Sequence, residues 1–179
     1  VQGLGHVGYY LCKDLAEEGA KLTVTDIDQD RVKQVVDEFG AEAVEPDAIY
    51  AVDADIFAPC ALGAIVNDDT IDVLNVDIVA GAANNQLARG PIHGPALDER
   101  GILYAPDYVI NAGGLINVYG EIEGWSPERS KRKAGDIYNT LMRTFELATT
   151  EGLAPHAAAN KVAETRIREA RHLQRTYLS

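Results

Sequence analysis

The chain opens VQGLGHVGYY (residues 1–10), and residues 3–8 read GLGHVG, with Gly3, Gly5 and Gly8 in the pattern G-x-G-x-x-G. At the turn from a buried strand into a helix these glycines have separate jobs. The first permits the tight turn, the second lets backbone approach a diphosphate, and the third lets helix pack closely on strand. The pattern alone is a weak signal, because glycine-rich turns also arise for plain backbone reasons. The next two elements strengthen it. A helical stretch from about Val7 to Glu18 closes at Gly19, and KLTVTD (Lys21 to Asp26) reads as a short strand ending in an acid. Asp26 lies 18 residues beyond Gly8, close to the roughly 20 expected for a carboxylate that accepts hydrogen bonds from an adenosine ribose. The same carboxylate repels a 2′-phosphate, so this arrangement favours NAD over NADP. The other role open to Asp26 is a helix cap, which Asp28 could equally supply.

Strand and helix signals keep alternating. DQDRVKQVVDEFG predicts a helix with Val32, Val35, Val36 and Phe39 on one face and Gly40 at its end. Strands are expected around Asp55 to Ala58, from Val76, and over Ile102 to Ala105, with a helix near Asp68 to Leu74. Strands separated by helices imply right-handed crossovers and a parallel sheet covered on both faces. After Gly124 the pattern changes. A long helix is expected from about Pro127 to Thr149, with Ala134, Ile137, Tyr138, Leu141, Phe145 and Ala148 on a stripe. Gly152 breaks it, and Pro155 suits the first turn of another helix reaching roughly Tyr177, striped by Ala159, Val162, Ala163, Ile167, Ala170 and Leu173. The expected fold is α/β, a doubly wound Rossmann-type parallel sheet with two long C-terminal helices.

Composition narrows the function classes. The 179 residues are 46% hydrophobic and 25% charged, with a net charge of −12. The acid excess disfavours a nucleic-acid surface, which needs clustered Lys and Arg. It does not disfavour a dinucleotide, since backbone N–H groups at a helix head bind diphosphate without a side-chain cation. No apolar run approaches the roughly 20 residues of a membrane span, so no membrane partner is expected. Cys12 and Cys60 have no metal-type spacing, and a reduced, cytoplasmic protein without a bound metal is the simplest expectation. His6, inside the glycine loop, reads as a tolerated surface residue, while His93, His156 and His172 are scattered.

Three further clusters follow predicted strands, at the sheet edge where open α/β folds bind ligands. IFAPCALG (56–63) carries Pro59, Cys60 and Gly63, with Cys60 read as a small packing residue of a cofactor pocket rather than a nucleophile. AGAANNQL (80–87) offers Asn84 or Asn85, and APDYVINAGGLIN (105–117) groups Asp107, Asn111, Gly113 and Gly114. Turn chemistry accounts for Asn in either loop, but two such loops at matching positions point to ligand contact.

These clusters, in this order, resemble the amino-acid dehydrogenases that act on Glu, Leu, Phe and Val. The likeness is nearest to the leucine type, with the phenylalanine and valine types next. It runs from VQGLGHVG through TDID, IFAPCALGAIVND, VAGAANNQL and ILYAPDYVINAGGLINV to the terminal RTYL. The resemblance implies one NAD-binding domain over 1–179, with helices from about 125 onward packing outside the sheet or toward a further domain. It implies oxidative deamination of an L-amino acid to its 2-oxo acid and ammonia, NAD taking the α-hydride. It places Gln2, Gly3, Leu4, Gly5, His6, Val7 and Gly8 around the pyrophosphate, Asp26 and Ile27 at the adenosine ribose, and Ala58, Pro59 and Cys60 on the adenine side. Ala83, Asn84 and Asn111 fall at the nicotinamide end. Asn111, Ala134 and Ile137 lie near the substrate, and the small Ala134 leaves room for a side chain larger than leucine's. The full-length protein is expected to form a homo-oligomer.

Family members carry their acid/base chemistry on lysines in a glycine-rich setting and on an Asp of an N-terminal domain. Lys13, Lys21, Lys33, Lys131, Lys133 and Lys161 have no such setting, so no catalytic residue is expected in this chain. Only Val1 and Gln2 precede the glycine turn, and the expectation is a fragment, inactive alone. Two other readings stay open: an NAD-binding module without chemistry, and a Rossmann-like domain with an unrelated ligand.

Overall fold

The computed structural model describes residues 1–177, and side chains through residue 171. Among the described residues five short strands run parallel: β1 (Thr23–Val24), β2 (Glu42–Ala43), β3 (Ala54–Phe57), β4 (Val76–Val79) and β5 (Leu103–Tyr104). β1 pairs with β2, and β3, β4 and β5 pair in that order. Gln2 joins the two groups, bridging in parallel to Thr25 on one side and to Pro59 on the other. The strand order is therefore β2-β1, Gln2, β3-β4-β5. Helix α1 (His6–Glu17) connects Gln2 to β1, α2 (Gln29–Phe39) connects β1 to β2, and α3 (Gly90–Glu99) connects β4 to β5.

Two buried clusters hold these layers together. Leu4, Cys12, Val24, Val32, Val35 and Ala41 form one between α1, α2 and β1. Phe57, Val66, Leu74, Val79, Leu97 and Tyr104 anchor the other around β3, β4 and β5. α2 starts and stops where its sequence dictates. The Asp28 side chain accepts from the N–H groups of Asp30 and Arg31, and Gly40 ends the helix at φ +67°.

The C-terminal third is helical: α4 (Asp107–Ile110), α5 (Gly113–Ile122), α6 (Pro127–Glu151) and α7 (Pro155–Tyr177). Ser126 caps α6, and Gly152 turns the chain at φ +63°. α6 and α7 pack on each other, and α7 also reaches α3 and β5. The buried faces differ from the sequence stripes. On α6, Thr144 and Ala148 are buried while Tyr138 is exposed, and on α7 Ala158 and Ala159 are buried while Ile167 is exposed. The side chains of His172, Leu173 and the RTYL stretch lie outside the described residues, as does Leu178 altogether.

Several elements depart from the sequence reading. Residues 68–74 hold only a 3-10 turn at Ile71–Val73, because the Asn67 Oδ1 accepts from the N–H groups of Asp69 and Thr70. Such local bonds compete with helix. The KLTVTD strand contracts to two residues. α3 was hidden by Gly90, Pro91, Gly94 and Pro95, all loop-like residues. The 105–117 stretch, read as a loop, is α4 followed by the start of α5. Among the described residues no helix is long and apolar enough to cross a membrane.

Candidate dinucleotide site

The first turn depends on two of its glycines. Gly3 adopts φ +93°, and a Cβ there would stand 2.6 Å from the Cβ of Ala61, so both backbone and space demand glycine. A Cβ on Gly8 would collide with the Gly3 carbonyl oxygen and come within 3.4 Å of the Cys60 Cβ. Gly5 precedes α1 as its N-cap and offers no side chain to cap it. The first N–H groups of α1 therefore stay open to an anion.

Asp26 closes the other side of the turn. Its Oδ2 accepts from the Leu4 N–H at 2.5 Å and its Oδ1 from the Asp28 N–H at 2.9 Å. Asp28 caps α2, so the cap role that the sequence left open between the two acids falls to Asp28. Each Asp26 oxygen keeps a second lone pair for a hydroxyl donor. Ile27 beside it is 90% exposed. Arg31, which the sequence reading passed over, pairs with Asp28 (Nε to Oδ2, 3.2 Å). Its Nη1 lies 3.7 Å from where a Cβ on Gly5 would stand. The available signal was its place in the first turn of the helix after the acid, within reach of the glycine loop.

The neighbouring strand end completes this corner. The Gln2 N–H donates to the Ala58 carbonyl at 3.0 Å, and the Cys60 N–H donates to the Gln2 carbonyl at 2.7 Å. Ala58 and Pro59 are buried and Cys60 half-buried. Burial pushes the Cys60 thiol above its ordinary range, which suits packing and not nucleophilic attack. The Gln2 side chain turns aside, its Nε2 donating to the Tyr50 hydroxyl at 2.8 Å. His6 and Val7 are exposed on α1, with the His6 ring edge-on to Tyr10 at 4.9 Å.

The two Asn-bearing segments meet. Asn111 Nδ2 donates to Asn84 Oδ1 at 2.6 Å and to the Ala82 carbonyl at 3.4 Å. Among the described residues this leaves Asn84 Nδ2 and Asn111 Oδ1 without protein partners, one donor group beside one acceptor. Asn85 is the turn residue at φ +52°, and its carbonyl accepts from the Ala64 N–H at 2.6 Å. Ala83 is buried, its N–H donating to the Pro59 carbonyl at 2.9 Å. Asn111 is the C-cap of α4, in the turn that leads into α5. Asp107 is buried, and Gly113 and Gly114 are the first residues of α5.

On α6, Ile137 lines a cavity of about 300 Å³ together with Val109 and Ala112, close to Asn111 in the chain. Ala134 is half-buried one turn earlier and does not line that cavity. Lys13, Lys33, Lys133 and Lys161 pair with Glu17, Asp37, Asp136 and Glu151 on exposed faces.

A family model described as glutamate/leucine/phenylalanine/valine dehydrogenase matches residues 22–175. Leucine dehydrogenase of Thermoactinomyces intermedius is 54% identical over 178 residues, which are 99% of this chain and 48% of that protein. Phenylalanine dehydrogenase of Bacillus thermotolerans is 46% identical over 173 residues, 94% of this chain and 45% of that one. The crystal structure of L-tryptophan dehydrogenase from Nostoc punctiforme superposes with a TM-score of 0.92 at 50% identity, covering 94% of this chain and 51% of that one. The chain thus spans about half the length of the curated relatives it matches. The chain belongs to the glutamate/leucine/phenylalanine/valine dehydrogenase family.

Proposed function

We propose that this chain is the NAD-binding half of an enzyme that oxidatively deaminates an apolar L-amino acid, of the leucine type, to its 2-oxo acid and ammonia. The observation that carries the reading is the carboxylate of Asp26 held against the Leu4 N–H of a glycine turn whose helix head has no side-chain cap. A diphosphate fits at the head of α1, with the adenosine ribose on Asp26 and the adenine between Ile27 and the Ala58–Cys60 corner. The parallel order on either side of Gln2 supports a doubly wound Rossmann-type sheet, with the ligand where the order reverses.

Bound NAD would supply the hydride acceptor. The residues of this chain would bind and orient it. The free donor of Asn84 and free acceptor of Asn111 complement a carboxamide, which carries one of each. Such pairing would fix the face of the nicotinamide ring offered to the substrate, and orientation of this kind is a large part of rate enhancement. In this reading the lysines and aspartate that activate water belong to the other half of the longer polypeptide.

Identity of 54% to a leucine dehydrogenase favours a branched-chain substrate. The small side chain of Ala134, with 50% identity to a tryptophan dehydrogenase, favours a second reading in which the substrate is aromatic. A steady-state assay of the full-length polypeptide with NAD and L-Leu, L-Val, L-Ile, L-Phe and L-Trp separates them. The highest kcat/KM is expected for Leu or another branched substrate. A maximum at Phe or Trp selects the second reading, and absence of NADH formation with every amino acid refutes both.

A further inference from the structure

We propose that Asp107, acting with Gln86, is a positioning residue that sets the Asn84–Asn111 pair for the nicotinamide end of the cofactor without touching it. The inference rests on the NAD reading. Asp107 is only 8% exposed, yet among the described residues no Lys, Arg or His pairs with it. An unpaired buried carboxylate is costly unless hydrogen bonds satisfy it. Here two backbone donors do so: Oδ2 accepts from the Gln86 N–H at 3.1 Å and Oδ1 from the Tyr108 N–H at 2.9 Å.

Gln86 is fully buried and ties down the other strand end. Its Nε2 donates to the carbonyls of Gly81 and Ala83, at 2.8 and 3.0 Å. Its Oε1 is buried with no partner, so the amide is oriented by those two carbonyls alone. The loop carrying Asn84 is thereby fixed at residues 81, 83 and 86. Asn111 hangs from the same anchor, because its N–H donates to the Asp107 carbonyl at 2.9 Å. One residue therefore sets both members of the pair, through its side chain on one side and its backbone on the other.

Both Asp107 side-chain oxygens face N–H donors, and an asparagine of the same shape offers one acceptor and must point an NH₂ at the second donor. Asp107→Asn should therefore displace Asn84 from Asn111 while leaving the glycine turn and Asp26 untouched.

The test is binding of two probes to the chain. NADH reports on both ends of the site, and ADP reports on the adenosine end alone. Asp107→Asn should weaken NADH about tenfold, equivalent to about 1.4 kcal/mol, with ADP affinity unchanged within about twofold. Gln86→Met should give the same pattern and serves if Asp107→Asn fails to fold. In an Asn84→Ala/Asn111→Ala background neither change should weaken NADH further, because the groups being positioned are gone. Parallel loss of NADH and ADP affinity, unchanged NADH affinity, or a full additional loss in that background each overturns the proposal. A wild-type chain that binds neither probe overturns the NAD reading itself, and the two failures are distinguishable.

Discussion

Asp26 shows how much one position can decide. Its spacing from the glycines made it readable, and its carboxylate lies against the Leu4 N–H. Replacement by a shorter neutral group removes the repulsion toward a 2′-phosphate. Asp26→Ser should weaken NADH about tenfold and raise the NADPH-to-NADH affinity ratio, measured by fluorescence titration; an unchanged ratio would count against the ribose role. His156 gives a second prediction at this scale. Its Nδ1 is buried without a partner, and burial holds the imidazole below its ordinary value near 6.5. The unfolded chain therefore takes up a proton first as pH falls. Stability is full above about 6.5 and is lost as pH drops below it toward the folded-state value. Urea midpoints at pH 7 and pH 5 should differ less in His156→Gln than in wild type; equal differences would remove His156 from the account. Residues legible in the sequence were those whose role follows from spacing, such as Gly3, Gly8 and Asp26. Arg31 and the Asp107–Gln86 brace were not, because Arg31 approaches Gly5 from 26 residues away and Asp107 accepts from the Gln86 N–H 21 residues away.

At the scale of elements, α1, α2, α6 and α7 were legible in the sequence, and α3, α4 and α5 were not. α3 carries two glycines and two prolines, the composition of a loop. Packing supplies what propensity lacks: a Cβ on Gly94 would stand 2.5 Å from the His156 Nδ1 and 3.1 Å from its Cγ, so glycine is what lets α3 approach α7. Gly94→Ala should cost about 1–3 kcal/mol, seen as a lowered thermal midpoint. An unchanged midpoint would mean the contact is slack. The head of α1 obeys the same rule more strictly. Gly8→Ala drives a methyl into the Gly3 carbonyl and should lower NADH affinity at least about tenfold, a loss that titration would reveal; retained affinity would show that the turn adapts.

For the whole molecule, alternation of strand and helix was enough to anticipate a parallel α/β sheet, because the two periodicities differ along the chain. It was not enough to show that two separate cores meet at the backbone pairings of Gln2. Nor could it show that the two Asn-bearing segments, 27 residues apart, would share a hydrogen bond. Both facts concern the same sheet edge, and both bear on one claim: that this edge holds a dinucleotide with a free 2′-hydroxyl. Isothermal titration of the chain with NADH and with NADPH tests it most directly. Saturable one-to-one binding of NADH, at least about tenfold tighter than NADPH, is the predicted result. Equal or tighter binding of NADPH, or no binding of NADH, would contradict it.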